Sequence, residues 1–259
     1  MQPILRLEGV SKQFGGVTAA KDVTFSVPPG SVHGLIGPNG AGKSTLMNII
    51  SGIYEPDVGK IFLNEQEITK VAPYKRARMG IGRTFQTPRF LQRSNIRENL
   101  LLGTDLADRI GYIKGFFGKK GTSFEKELAE LMEVAQFTFD WDDNITSLPF
   151  GRRKLLEIVR SMLGKPKVML VDEPAAGLNN KEIEHAMDLL NLAAYKRGIG
   201  VLLIEHSMDM IMDICDDIVV INFGEVIGYG TPEQVSSNKA VIEAYLGGDA
   251  DALGGDIDA

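Results

Sequence analysis

The sequence predicts an α/β domain interrupted by a helical insertion, and three observations carry that prediction. Val168–Val171 and Val201–Ile204 are short, fully apolar runs of the kind found in strands covered on both faces of a parallel sheet. Helical patterns alternate with such runs, as over Lys181–Tyr195 between them. From about Gly103 to Lys165 the alternation gives way to a helical, polar stretch.

Taken in order, Ile4–Val10 and Val17–Val27 read as strands joined by a turn at Gly15–Gly16. The mostly apolar Val32–Ile36 is the next strand, and a glycine-rich loop leads from it into a helix through Leu46–Ile50. Lys60–Leu63 is a further strand and Pro73–Met79 a short basic helix. Gly80–Gln86 begins as a strand and breaks into the loop QTPRFLQR, after which Ser94 is the expected N-cap of a helix over Ile96–Leu102. Ile110–Lys120, broken up by glycines and lysines, reads as a mobile insertion. Phe124, Leu128, Leu131 and Met132 form the apolar stripe of an amphipathic helix over Ser123–Val134, and Leu148–Met162 makes another helix. Met208, Ile211, Met212 and Cys215 share one helical face and are assigned to the core. Ile218–Ile221 and Glu225–Tyr229 form a hairpin that turns through Asn222–Gly224. Thr231–Leu246 is a terminal helical region, and Gly247–Ala259 an acidic, glycine-rich tail expected to be disordered.

Bulk properties restrict the function. A chain of 259 residues allows one large domain, or a domain with a subdomain, and 44% apolar residues supply its core. A net charge of −6 offers no overall basic surface for nucleic acid, so no nucleic-acid partner is expected. The single cysteine, Cys215, excludes a disulfide framework and fits a reducing compartment. The opening MQPILRLEGV lacks the basic and apolar regions of a signal peptide, and no apolar run approaches the roughly 20 residues that span a bilayer. Any membrane role is therefore expected to be peripheral.

The loop after the Val32–Ile36 strand reads GPNGAGKST, Gly37 to Thr45, and fits GxxxxGK[ST] through Gly37, Gly42, Lys43 and Ser44. Glycines let the backbone turn tightly and bring its N–H groups close to phosphate oxygens, while the following helix points its positive end at the same anion. Lys43 would reach the terminal phosphates and the Ser44 hydroxyl would ligate Mg²⁺. This stretch predicts a nucleoside triphosphate site. In VMLVDEP the apolar run places Asp172 at the carboxyl end of a buried strand, where parallel sheets bind ligands and where it could hold Mg²⁺ with Ser44. Glu173 follows and suits a general base for a water attacking the γ-phosphate. His206 ends VLLIEH, on a strand expected beside that of Asp172, and could keep the water or Glu173 in register. Gln86, on the loop after a strand, is a candidate contact for Mg²⁺ or water. His33 and His185 are read as structural.

The order of these motifs across nearly the whole chain resembles the ATP-binding cassette family. The resemblance implies a P-loop ATPase with a mixed-sheet core, an N-terminal antiparallel β-subdomain and an inserted helical subdomain at about 95–165, within a single domain over 1–246. It implies ATP and Mg²⁺ as ligands: Phe14 against adenine, Asn39, Gly40, Gly42, Lys43, Ser44 and Thr45 on the phosphates, Gly151 in the signature, and Ser44, Gln86 and Asp172 around the metal. Glu173, His206 and Gln86 would be the catalytic set, and Ala175–Asn180 the D-loop. More narrowly, FGGVTAAKDV, GIGRTFQ, DEPAAGLN, LLIEHSMDM and GTPEQV…VIEAYLGG look like ATPase subunits of branched-chain amino acid importers. Such a subunit would work at the cytoplasmic face of the cell membrane with integral permease subunits, a second ATPase subunit, identical or different, and indirectly a substrate-binding protein. Arg83, Arg89, Phe90 and Leu91 would lie in a groove where the permease docks. An ATPase for lipid or lipopolysaccharide export and a soluble ATP-dependent regulator are the alternatives.

The chain departs from the family at the signature, usually LSGGQ and here Leu148-Pro149-Phe150-Gly151-Arg152. Pro149 supplies neither hydroxyl nor N–H. Either Gly151 and the helix end suffice for the γ-phosphate, or this chain completes the site of a different ATPase partner poorly.

Overall fold

The computed structural model describes residues 2–104 and 123–245. The expected mobile insertion at Ile110–Lys120 and the tail Gly247–Ala259 lie outside them.

Among the described residues two sheets form. The first is antiparallel, in the order β2-β1-β4-β5: β1 is Leu5–Phe14, β2 Val17–Val27, β4 Val58–Leu63 and β5 Gln66–Glu67. The second has the order β10-β9-β3-β8-β7-β6, with β3 Val32–Ile36, β6 Ile81–Arg83, β7 Val168–Asp172, β8 Gly200–Ile204, β9 Asp217–Asn222 and β10 Glu225–Gly230. Its strands run parallel from β6 to β9, and β10 closes one edge antiparallel through the expected hairpin. The helices are α1 Lys43–Ile50, α2 Pro73–Met79, α3 Ile96–Leu101, α4 Ser123–Ala135, α5 Phe150–Leu163, α6 Asn180–Asn191, α7 Met208–Ile214 and α8 Pro232–Ser236. No helix among the described residues is long and apolar enough to cross a membrane.

The central strands are apolar throughout because both faces of their sheet are covered. Successive residues alternate between two cores. Met169, Val171, Val201 and Leu203 join the core that also holds Leu155, Leu156 and Val159 of α5 and Leu189 and Leu190 of α6. Val168, Leu170, Leu202 and Ile204 join the other, with Leu46, Met47, Ile49 and Ile50 of α1 and the inward side chains of β1 and β2. Helix α1 thus lies between the two sheets, which fixes the loop that precedes it.

Four details differ from the sequence reading. Asn95, not Ser94, caps α3: its side chain accepts from Glu98 N at 2.8 Å while Glu98 Oε2 accepts from Asn95 N at 3.3 Å. Leu148 precedes its helix, because Pro149 is the N-cap and helical geometry begins at Phe150. The helix after β7 changes at Leu192–Lys196 to a wider π turn. The methionine stripe is not core as a unit, since Met210, Ile211, Ile214 and Cys215 are buried while Met208 and Met212 are exposed. The buried face of α7 is centred between Ile211 and Met210, so only half of the expected stripe turns inward.

Arg76 of the basic helix α2 is buried and locks α1 in place. Its Nη1 donates to Ile49 O at 2.7 Å and Ile50 O at 2.8 Å, its Nη2 to Thr69 O at 2.7 Å and its Nε to Val71 O at 2.8 Å. Burial lowers its pKa to about 10, and the guanidinium satisfies the carbonyls of Ile50, Thr69 and Val71 and shares that of Ile49 with Gly52 N. Replacing Arg76 by Met strands those carbonyls away from water, and we expect a loss of about 3 kcal/mol in urea unfolding. A change below about 0.5 kcal/mol would show that the carbonyls find other partners.

Candidate active site

The glycine loop follows β3 and ends at the N-terminus of α1, which has no side-chain cap. Its shape depends on missing side chains at two positions. Gly42 has φ +107°, and a Cβ there would lie 2.2 Å from Ala19 O of β2. At Gly37, φ +152°, it would lie 2.0 Å from Ile221 O of β9. The loop is therefore pressed between the two sheets, an arrangement in which backbone N–H groups at a helix start can bind an anion. Asn39, Gly40 and Ser44 are exposed along it and Thr45 is half-buried. Lys43 is buried and folds back on the loop, donating to Gly37 O at 2.6 Å and Pro38 O at 3.0 Å. Burial pulls its pKa down, opposed by the charges of Glu173 and Asp172.

Parallel register puts Asp172 of β7 opposite Ile204 of β8, so Glu173 and His206 leave neighbouring strand ends, as the sequence predicts. Glu173 Oε1 lies 3.1 Å from His206 Nε2, and Gln86 Nε2 donates to Glu173 Oε2 at 2.6 Å. Each carboxylate oxygen thus has one of the three loops' side chains as partner. Glu173 itself sits at φ +46°, a region that costs a residue with a Cβ, and its N–H donates to Ile204 O at 2.8 Å. Asp172 is pushed up by burial, offset chiefly by Arg83, whose Nη2 is 3.9 Å from Asp172 Oδ2.

Phe14, at the end of β1, is 41% exposed and packs edge-on against Tyr54 at a centroid distance of 5.1 Å, with Lys12 Nζ 5.5 Å from its ring. It presents a free aromatic face beside a cation. Gly151 lies in the first turn of α5 and packs against Glu182 of α6, whose carboxylate a Cβ would meet at 2.2 Å. Arg152 is exposed with its guanidinium 5.6 Å from the Phe137 ring. His33 is fully buried on β3 and His185 half-buried on α6, both away from Glu173 in the contacts they make.

Two groups of residues require revision. Arg83 is not part of an outer groove. It points inward, donating from Nη1 to Ser51 Oγ at 2.6 Å and stacking 5.0 Å from the Phe85 ring centre. Phe90 packs on the core beneath Arg160, at 4.5 Å, leaving Arg89 and Leu91 as the exposed members of the expected set. Beneath the site lie three buried charged residues to which the sequence reading gave no structural role. Glu157 of α5 accepts from Phe85 N at 3.3 Å and Arg89 N at 3.0 Å, Lys154 donates to Glu173 O, and Glu205 accepts from Ala175 N at 3.4 Å. The available signal was Lys154 and Glu157 interrupting the apolar side of α5.

Comparison with known proteins identifies the relatives of this chain. The family model described as ABC transporter matches residues 20–176, and that of branched-chain amino acid ATP-binding cassette transporters matches residues 225–251. The high-affinity branched-chain amino acid transport ATP-binding protein BraF of Pseudomonas aeruginosa is 39% identical, over 95% of this chain and 98% of its own. Its Escherichia coli counterpart LivG is 37% identical over the same shares, 95% and 98%. Among solved structures, an ATP-binding cassette of an ABC transporter in its ADP conformation superposes with a TM-score of 0.80 at 32% identity, covering 95% of this chain and 100% of that one.

Gly42→Ala would drive a methyl group into the Ala19 carbonyl, so the loop must open. We expect fluorescent-nucleotide titration to show at least about a 100-fold weaker affinity, with the fold retained by circular dichroism, because backbone N–H groups at the helix start supply the anion contacts. Unchanged affinity would place the phosphates elsewhere.

Proposed function

Because the chain belongs to the ATP-binding cassette transporter family, we propose that it is the ATP-hydrolysing subunit of an importer for branched-chain or related amino acids, at the cytoplasmic face of the membrane. The observation that carries the hydrolytic part is the Glu173 carboxylate, held by Gln86 and His206 beside the glycine loop. The match of the C-terminal segment 225–251 to the branched-chain cassette family supports the transported class over lipid export or a soluble regulator.

The roles follow from the chemistry. The N-terminus of α1, Lys43 and the loop N–H groups take the phosphates, and Phe14 offers an adenine its exposed face beside Lys12. Ser44, Asp172 and the Gln86 side-chain carbonyl are hard oxygen donors of the kind that suits Mg²⁺. These residues would hold the ion, which when bound neutralises phosphate charge. Glu173 accepts the proton of a water that attacks the γ-phosphorus as the bond to ADP breaks. Both carboxylate oxygens are engaged by Gln86 and His206, so one contact must open or be shared before that water can bind Glu173. His206 then fixes the carboxylate's direction and Gln86 ties it to the loop after β6.

That loop exposes Arg89 and Leu91, which we assign to permease docking. A second ATPase subunit would meet the first turn of α5, where Pro149 replaces the usual serine but Gly151 and the helix end remain.

Glu173→Gln keeps the shape and both neighbours but removes the base. ATP affinity should stay within about threefold while turnover falls by about 10²–10⁴-fold, in the range of general base catalysis. Turnover equal to that of the native chain would remove Glu173 from the mechanism. Tagged chain purified from gently solubilised membranes should bring with it integral permeases and an ATPase partner. Recovery only as a soluble homodimer would favour the soluble regulator.

A further inference from the structure

Glu173 is the one residue of the proposed catalytic set whose backbone is in the left-handed region, and both of its peptide groups are tied down. Its N–H donates to Ile204 O of β8 at 2.8 Å. Its carbonyl accepts from Ala176 N at 3.3 Å in the following turn and from the ammonium of Lys154. Lys154 comes from a different element, the second turn of α5, and only 3% of it is exposed. A lysine is rarely buried to that degree without a partner that requires it.

We propose that Lys154 is a positioning residue for hydrolysis, which holds the Glu173 peptide in its left-handed conformation and so sets the direction in which the base carboxylate leaves the strand end. The proposal rests on the reading of Glu173 as the base.

Three features of the surroundings suit this role. Lys154 has a single hydrogen-bond acceptor among the described contacts, and that acceptor is a backbone carbonyl, not one of the carboxylates nearby. The carboxylates of Glu205, Glu173, Glu157 and Asp172 all favour its charged form, against the burial that lowers its pKa. Those of Glu157 and Glu205 are themselves occupied with backbone N–H groups, of Phe85 and Arg89 in the one case and Ala175 in the other. The carboxylates around the lysine thus favour its ammonium form, and its hydrogen bond goes to the peptide of Glu173. A left-handed residue with a Cβ relaxes toward right-handed geometry when the surrounding contacts are removed. Such a rotation about the Glu173 backbone would swing its side chain away from His206 and Gln86, and a displacement near 1 Å at a reacting group is enough to cost about 10²-fold in rate.

The test compares Lys154→Met, Lys154→Arg and Glu173→Gln in the full chain, purified with its co-purifying subunits. Turnover and nucleotide affinity are measured separately. Methionine keeps the length of the stem but cannot donate, so turnover should fall by about 10²-fold while ATP affinity stays within about threefold of the native value. Arginine retains a donor and should recover most of the loss. Should Lys154→Met fail to fold because Glu205 is left uncompensated, the paired K154M/E205Q variant removes one charge of each sign and is scored in the same way. Native turnover in the methionine or paired variant overturns the proposal, as does an equal fall in affinity and turnover, or an arginine variant no better than methionine. Glu173→Gln separates the two levels of the argument. If it is inactive while Lys154→Met is not, only the role of Lys154 fails. If Glu173→Gln itself turns over normally, the reading of the base fails and that of Lys154 with it.

Discussion

The structure depends on one steric constraint: two sheets and the glycine-rich loop meet where there is no room for a Cβ. Gly42 approaches Ala19 O of β2 and Gly37 approaches Ile221 O of β9. The contact is reinforced by main-chain bonds, since Gly224 N donates to Ala41 O at 2.9 Å and Lys21 N donates to Gly224 O at 2.8 Å. The hairpin of β9 and β10 is thereby sewn both to the loop and to the antiparallel sheet. Helix α1 is held at its other end by Arg76, so the loop is clamped from both sides and need not reorganise to present its N–H groups.

From that clamp the rest of the site follows by register. β3 and β8 pair in parallel, as do β8 and β7 and then β7 and β6, and all four strands end on one edge. The loops that leave this edge carry the glycine loop, His206, Asp172 with Glu173, and Gln86. Nothing in their sequence separation suggests proximity. Their convergence is a property of the strand order, which is the general reason parallel sheets bind ligands at their carboxyl ends.

How much of this was legible in the sequence depended on whether a local signal had a rival. The strand Val32–Ile36 and the helices starting at Lys43 and Pro73 have the bounds the sequence suggests, because glycine and proline punctuate them. Ser94 and Asn95 are both good caps, and only Glu98, three residues after Asn95, decides between them through the capping box. Met208 and Met212 share a helical face with the buried Ile211, but which half of that face turns inward depends on how α7 sits on the sheet, a tertiary fact. Arg83 was placed in the docking groove by the resemblance alone, yet it ends β6 and its side chain turns toward Ser51 and Asp172. The convergence of Gln86, Glu173 and His206 could be anticipated from motif order. The pair of hydrogen bonds at the Glu173 carboxylate could not.

The buried charges beneath the site escaped periodicity because charged residues are normally counted as solvated. Their burial has a physical logic of its own. Where the strand ladder stops, the loops after β6, β7 and β8 still carry backbone groups that must be paired. Buried side chains line the inner side of these loops, and among the described residues no further strand pairs there. Glu157 and Glu205 supply the acceptors, for Phe85 and Arg89 and for Ala175, and burial pushes the pKa of both carboxyls up while those N–H bonds pull it down. Lys154 donates to Glu173 O, which also accepts from Ala176 N. Replacing this set by apolar residues of equal volume would remove the desolvation cost of the buried ions but would leave those N–H groups without their acceptors. The loops would then lose the groups that fix them. Fixing the backbone of these loops, that of Glu173 included, is therefore the property these charges serve, with an apolar core on either side of the sheet.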